Sequence, residues 1–333
     1  MVFTIPTKKL YLEKISRLIT TERKESWGLT SNTRVKNKVP MVRGINMTYE
    51  NRNPWDKKLY KDLKNDCGNC FGLCCVALYF SASEGFPNDK EGGRACAHLQ
   101  EDFTCTIHNS LTDKGLKGCT AYECFGAGQK VAQVTYKGQD WMKSPESAQQ
   151  MFEVFSIMRQ LHEMLWYLTE ALCIKMSLDI KNDLERLMSE TEALTYLDAG
   201  ALSGLDIALH RDKVNLLLKK ISKIVRTEDN RGEKNTSSRR KKVGGRFDFI
   251  GADLRKANLR GMDLGGALLI AADLRGNSLR NTNLIGADLR DADLRGSDLT
   301  ESLFLTQTQV NTAKGDRNTR LPAWIERPGT WCK

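Results

Sequence analysis

Residues 67–75 read CGNCFGLCC, four cysteines in nine positions, and four more follow at Cys96, Cys105, Cys119 and Cys124. Only Cys173 and Cys332 lie elsewhere. Thiols this close together can pair as disulfides, react as nucleophiles or redox groups, or ligate a metal, and the compartment selects among these uses. The first thirty residues carry charge throughout and offer no apolar run of the secretory kind, and no segment approaches the ~18 apolar residues of a membrane span. The expectation is a cytoplasmic protein with no membrane segment, in which reduced cysteines bind metal. Simple burial of free thiols would not confine eight of them to residues 67–124, since the helical and repeat regions beyond hold only Cys173.

Clustered thiolates suit zinc or iron. The neighbours Cys74 and Cys75 are awkward as ligands of one tetrahedral ion, whereas an iron-sulfur cluster offers several iron corners. The spacing therefore favours iron or an iron-sulfur cluster, with zinc as the alternative. The order CxxCxxxC reverses the CxxxCxxC that resembles radical-SAM enzymes, and that chemistry is not assigned. CGNCFGLCC, then ACAHL, CTIH and a closing GC, resembles the zinc- or iron-chelating cysteine-cluster family of the YkgJ type. That resemblance implies Cys67, Cys70, Cys74, Cys75, Cys96, Cys105 and Cys119 as ligands. His108 stands where the family usually has Tyr, KG replaces its RP before the closing cysteine, and Cys124 is additional.

The cysteines need elements to position them. From Phe247 the chain repeats every five residues, FDFIG ADLRK ANLRG MDLGG ALLIA ADLRG NSLRN TNLIG ADLRD ADLRG SDLTE SLFLT. A period of five is neither helical nor that of a simple strand. The third position is Phe249, then Leu from Leu254 to Leu299, then Phe304, and the first is Ala at 252, 257, 267, 272, 287 and 292. Large-after-small alternation implies that both point into a narrow interior. The stretch resembles the pentapeptide-repeat family, which implies a right-handed quadrilateral β-helix of three coils. The tail TQTQVNTAKGDRNTRLPAWIERPGTW resembles the cap of such proteins, with Trp331 packed, because an open β-helix end exposes unpaired backbone.

Between cysteines and repeats, Ser144-Pro145-Glu146 reads as N-cap, N1 proline and first-turn acid. The spacing predicts a long helix from there and two more, around 178–197 and 203–226, the last burying Leu205, Leu209, Leu217, Ile221 and Ile224 in a small antiparallel bundle. Phe125-Gly126-Ala127-Gly128-Gln129-Lys130 predicts a tight turn feeding a helix rather than a phosphate loop.

The fold expected is multidomain α+β: a basic extension (1–57, including one amphipathic helix with Leu10, Leu12, Ile15, Leu18 and Ile19), a cysteine-cluster metal-binding domain (58–143), a helical bundle (144–226), a basic flexible linker (227–246), the β-helix (247–306) and its cap (307–333). Of the net charge of +10, the extension and linker carry the excess, and no groove-reading motif accompanies it, so nucleic acid is not the expected partner. Three function classes follow. One is a metal-binding protein whose repeats engage a protein partner, and another an iron-dependent redox or protein-modifying enzyme. A DNA mimic ranks last, because residues 247–310 hold seven Arg/Lys against nine Asp/Glu rather than strong acidity. Ile250, Leu268, Ile270, Ile285, Leu303 and Leu305 fall on two adjoining outer sides of the prism, predicting a corner that packs on the bundle or forms a homodimer.

Overall fold

The computed structural model describes residues 60–229, 242–243 and 245–332. The expected extension, its amphipathic helix and most of the linker lie outside them. The described residues belong to one compact unit.

In the repeats, parallel bridges join residues twenty apart, as in Asp253 to Asp273 to Asp293 and Ser278 to Asp298. Within a coil, each third-position carbonyl accepts from the amide three residues on, as in Ala257 N to Leu254 O (2.8 Å) and Ala272 N to Leu269 O (3.0 Å). Four such turns per coil make the four-sided β-helix. The fifth position takes left-handed φ at every corner but those of Lys256 and Glu301, 69° at Gly276 and also 55° at Ala271 and 53° at Asn281. This type II corner explains why Gly recurs there. Leu254, Leu274 and Leu294 stack inside, buried, as do Leu259, Leu279 and Leu299. Each such side chain contributes about 1.5–3 kcal/mol through burial.

Polar first positions also point inward, each with a partner. Thr282 Oγ1 donates to Leu259 O at 2.7 Å and Ser297 Oγ to Leu274 O at 2.7 Å. Outside, Asp273 and Asp293 hold Arg275 and Arg295 in forked pairs of 2.6–2.9 Å. The cap extends the ladder, with Lys314 bridged to Asp293 and Arg320 to Asp298. Trp331 is packed as expected: it is buried, its indole donates to Ala313 O at 3.2 Å, and a Cβ on Gly315 would fall 2.4 Å from its ring.

The helices, in chain order, are α1 (Leu73–Ala77), α2 (Lys117–Ala121), α3 (Ala127–Lys130), α4 (Pro145–Leu172), α5 (Leu178–Leu194), α6 (Ala199–Ser203), α7 (Ile207–Asp229) and α8 (Gln307–Thr312). Strands β1 (Lys242–Val243) and β2 (Arg246–Phe247) pair antiparallel ahead of the repeats. Pro145 and Glu146 take the expected places, but Ser144 makes no side-chain capping bond. The third bundle helix begins later than the spacing predicts, after the extra short α6, and runs to Asp229. Its core stripe is Val214, Leu218, Ile221 and Val225, while Leu209 is exposed. Two apolar stripes overlap on α7, and only contact with the rest of the bundle selects between them.

Helix α4 is the hub. It touches α1, α3, α5, α6 and α7, and buries Met151, Val154, Phe155, Met158, Leu161 and Leu168 at helical spacing. Its C-terminal part meets the last coil. Trp166 Nε1 donates to Leu305 O at 3.5 Å, the Tyr167 and Phe304 rings meet edge-on at 6.0 Å, and buried Glu170 Oε1 accepts from Phe304 N at 2.6 Å. Leu303 and Leu305, from the predicted corner, are fully buried. Leu268, Ile270 and Ile285 are half-buried, and Ile250 is 55% exposed. The corner is thus covered at one end and open at the other.

Candidate metal centre

The cysteine segment has little regular structure, so its loops are fixed by individual bonds. A 3₁₀ turn (Cys67–Asn69) brings Cys70 N to Cys67 O at 3.4 Å. Gly72, at φ 62°, then redirects the chain into α1, and a Cβ there would strike Leu99 Cδ1 at 2.6 Å. Helix α1 carries Cys74 and Cys75. Its last carbonyls are satisfied by the returning loop, through Cys96 N to Cys75 O (3.0 Å) and Gly93 N to Val76 O (2.9 Å). A hairpin follows in which Leu99 faces Cys105. Cys119 rides on α2, whose Gly118 packs so closely on Phe86 that a Cβ would lie 2.6 Å from its ring.

The turn after Cys124 is as the sequence predicts. Phe125 (φ 54°) and Gly126 (φ 77°) turn the chain into α3. Buried His162 on α4 anchors it, its Nδ1 2.7 Å from Phe125 O, and since a carbonyl only accepts, Nδ1 carries the proton. Gly128 lies directly against the sulfurs: a Cβ there would stand 2.5 Å from Cys70 Sγ and 3.9 Å from Cys124 Sγ. Cys124 Sγ also donates to Asn65 Oδ1 at 2.9 Å.

All eight thiols share one electrostatic neighbourhood. Burial pushes Cys70 up to about 12, and the charges of Cys124 and Cys67 add to it. Burial likewise holds Cys124 at about 11, with Glu123 and Cys67 contributing. Cys119 is also raised to about 11, by burial first and then by Cys75, Cys96 and Cys105. Cys105 is raised by burial, Cys75 and Cys96. Cys67, at the exposed rim, is raised by partial desolvation and by Cys75, Asp66, Glu123 and Cys105. The Cys74 and Cys75 sulfurs are 3.9 Å apart. Either sulfur can donate in this contact; the pairing drives Cys74 well up and Cys75 down, and Lys90 adds to the lowering of Cys75.

Lys90 escaped the sequence reading, because no spacing rule marks a lone lysine. It is buried, with Nζ on Val76 O (3.3 Å), Glu91 O (3.3 Å) and Leu78 O, and 4.3 Å above the Phe80 ring. Burial lowers its pKa, opposed by Cys96, Cys75 and Cys74. Cys173, bonded to Thr169 O within α4, and exposed Cys332 stand apart from the cluster.

Among the described residues, no three Cys, His, Asp or Glu side chains are already placed to hold one ion. The donor set nevertheless fits zinc or iron in kind, being soft sulfurs that are mostly desolvated, two of which, Cys70 and Cys124, border Gly128. Ligation would require the thiols to rotate inward and release their protons. Among the described residues no helix is long and apolar enough to cross a membrane.

The repeat region matches the family model of pentapeptide repeats, in eight copies, over residues 246–269 and 267–304. Among solved structures, a pentapeptide repeat protein, Rfr23, from the cyanobacterium Cyanothece 51142 is 33% identical over 22% of this chain, with a TM-score of 0.18, and the chain spans 46% of that protein's length. The uncharacterized protein YybG of Bacillus subtilis (strain 168) is 52% identical over 273 residues, 82% of this chain and 96% of that protein. A stretch of that length necessarily takes in residues 61–273, and with them the cysteine segment, the bundle and the first coil. The chain therefore belongs to the same family as YybG, and its C-terminal region is a pentapeptide-repeat β-helix.

Proposed function

We propose that this protein is a metal-stapled interaction scaffold, in which the cysteine segment binds iron, an iron-sulfur cluster or zinc and the β-helix presents a protein-binding face. The observation that carries the reading is the gathering of Cys67, Cys70, Cys74, Cys75, Cys96, Cys105, Cys119 and Cys124 in one loop-built segment, with the Cys74 and Cys75 sulfurs 3.9 Å apart and the Cys70 and Cys124 sulfurs both against Gly128. A bound ion would supply the cross-link that those loops otherwise lack. The face offered to a partner is the Asp–Arg side. Arg255, Arg275 and Arg295 are about half exposed there, each paired with Asp253, Asp273 or Asp293. Mixed charge in register suits a protein surface better than a polyanion. This reading places the protein in a reducing, cytoplasmic setting.

A second reading, an iron-dependent redox or protein-modifying enzyme, is favoured by one feature, the Cys75 thiol 3.9 Å from Cys74 and lowered by that contact first and by Lys90 after it. Anaerobic purification followed by metal analysis and a visible spectrum tests both. A centre that cycles reversibly between redox states supports the enzyme, and a colourless zinc protein or a redox-inert iron centre the scaffold. A metal-free protein whose amide-exchange protection across residues 67–124 is indifferent to chelator would overturn both. Cys70→Ser and Cys74→Ser should lose metal, whereas Cys173→Ser and Cys332→Ser should keep it.

A further inference from the structure

We infer that the adjacent Cys74 and Cys75 of α1 form a dithiol clamp for a monosubstituted trivalent arsenical, held through two arsenic–sulfur bonds. Their sulfurs are 3.9 Å apart, and both residues are half-buried rather than sealed in the core. The inference goes beyond the metal reading and does not require it, because two thiols are enough.

The short helix that carries the pair is fixed at both ends. Leu73 and Val76, which flank the two cysteines in the chain, are buried and hold α1 against the core. Beyond them Cys96 N donates to Cys75 O at 3.0 Å and Gly93 N to Val76 O at 2.9 Å. The Lys90 ammonium closes the same end, on Val76 O at 3.3 Å and on Leu78 O. The backbone of the pair is therefore held in place, and only rotation about each Cα–Cβ bond remains to be set.

The separation selects the chemistry. A disulfide needs sulfurs about 2.05 Å apart and Cα atoms usually at least about 4.4 Å apart, whereas neighbours across a trans peptide have Cα atoms about 3.8 Å apart. Closing one here would distort α1. A single bridging atom avoids this. With bonds of about 2.3 Å to each sulfur, the length that a soft ion makes, it spans about 3.8 Å at a tetrahedral angle and about 4.6 Å when linear. The 3.9 Å between Cys74 Sγ and Cys75 Sγ suits the bent case. A tetrahedral ion would need two further ligands, and among the described residues no three side chains stand ready for one ion. A pyramidal arsenic bearing one organic group needs only the two thiols. In the condensation R–As=O + 2 R′SH → R–As(SR′)₂ + H₂O, two As–S bonds form and the bond to oxygen breaks. Both thiol protons leave on that oxygen as water, and arsenic stays trivalent, so no oxidant or reductant is consumed.

The probe is phenylarsine oxide, titrated anaerobically into the reduced, metal-free full chain, with free thiols counted and the site located by alkylating the cysteines left over. The first equivalent should consume two thiols and protect Cys74 and Cys75, and 2,3-dimercaptopropanol should release it. Because the second As–S bond forms within one molecule, Cys74→Ser and Cys75→Ser should each weaken binding by about 10²-fold or more. Cys70→Ser, Cys119→Ser and Cys173→Ser should leave it unchanged. Glutathione disulfide should produce no Cys74–Cys75 disulfide. Amide-exchange protection of the coils from residue 252 to 305 reports that each variant remains folded. A first equivalent that protects another pair, undiminished binding by either serine variant, or a Cys74–Cys75 disulfide in glutathione disulfide overturns the inference and leaves the metal reading standing. Clamping of the arsenical by a chain that takes up no Co²⁺ supports the inference and overturns the metal reading instead.

Discussion

Gly128→Ala sets helix propensity against packing, and the two predict opposite signs. Gly128 lies inside α3 and has no left-handed φ. On propensity alone, alanine would stabilise such a site by about 1 kcal/mol. The structure puts the new methyl 2.5 Å from Cys70 Sγ and 3.9 Å from Cys124 Sγ. Relief to an ordinary contact moves the Cys70 sulfur by about 1 Å, and overpacking of this kind costs about 1–3 kcal/mol. The balance is a net loss on the order of 1 kcal/mol, or roughly 2–4 °C in Tm for a body of this size. Gly200→Ala is the control, since it lies in α6 with its first neighbour at 3.4 Å and should gain stability. Urea unfolding under anaerobic, reducing conditions, followed by far-UV circular dichroism, measures both. Because the methyl displaces Cys70, Gly128→Ala should also weaken the uptake of added Co²⁺ by the full chain. A Gly128→Ala protein more stable than its parent and unchanged in metal uptake would show that no sulfur packs on this glycine.

Glu170→Ala strands the buried Phe304 amide now bonded at 2.6 Å, and should cost about 1–3 kcal/mol; faster amide exchange at Phe304 without change in the first coil identifies the contact. His162 is held down at about 4 from 6.5, chiefly by burial, so the folded state resists its protonation. Its contribution is complete above pH 6.5 and is lost as pH falls toward 4, about 3 kcal/mol in all. His162→Gln should flatten that part of the stability–pH curve, and an unchanged acid limb would contradict the assignment. Ile250→Asp, at the open end of the apolar corner, should leave Tm within about 1–2 °C, whereas Leu305→Asp, fully buried under α4, should prevent the bundle and β-helix from packing, as read by limited proteolysis.

Much of this architecture depends on neighbours within five residues, and that part is legible in the chain. A third-position Leu, a small first position and a corner tolerant of positive φ specify the coil locally, which is why the register, its inward face and the packed Trp331 could be read from residues 247–331. Helical spacing likewise revealed the long α4 and the turn from Phe125 into α3. What the spacing could not choose was a partner for each face. Leu209 and Val214 are equally apolar on one helix, yet only Val214 is covered, and Leu305 is buried while Ile250 of the same predicted corner is not. The cysteines show the same limit. Their clustering is written in sequence, but the clearance at Gly128 and the approach of Lys90 come from loops brought together across up to about sixty residues. Such contacts are selected by long-range packing on α4, a property of the whole folded body that no local pattern encodes.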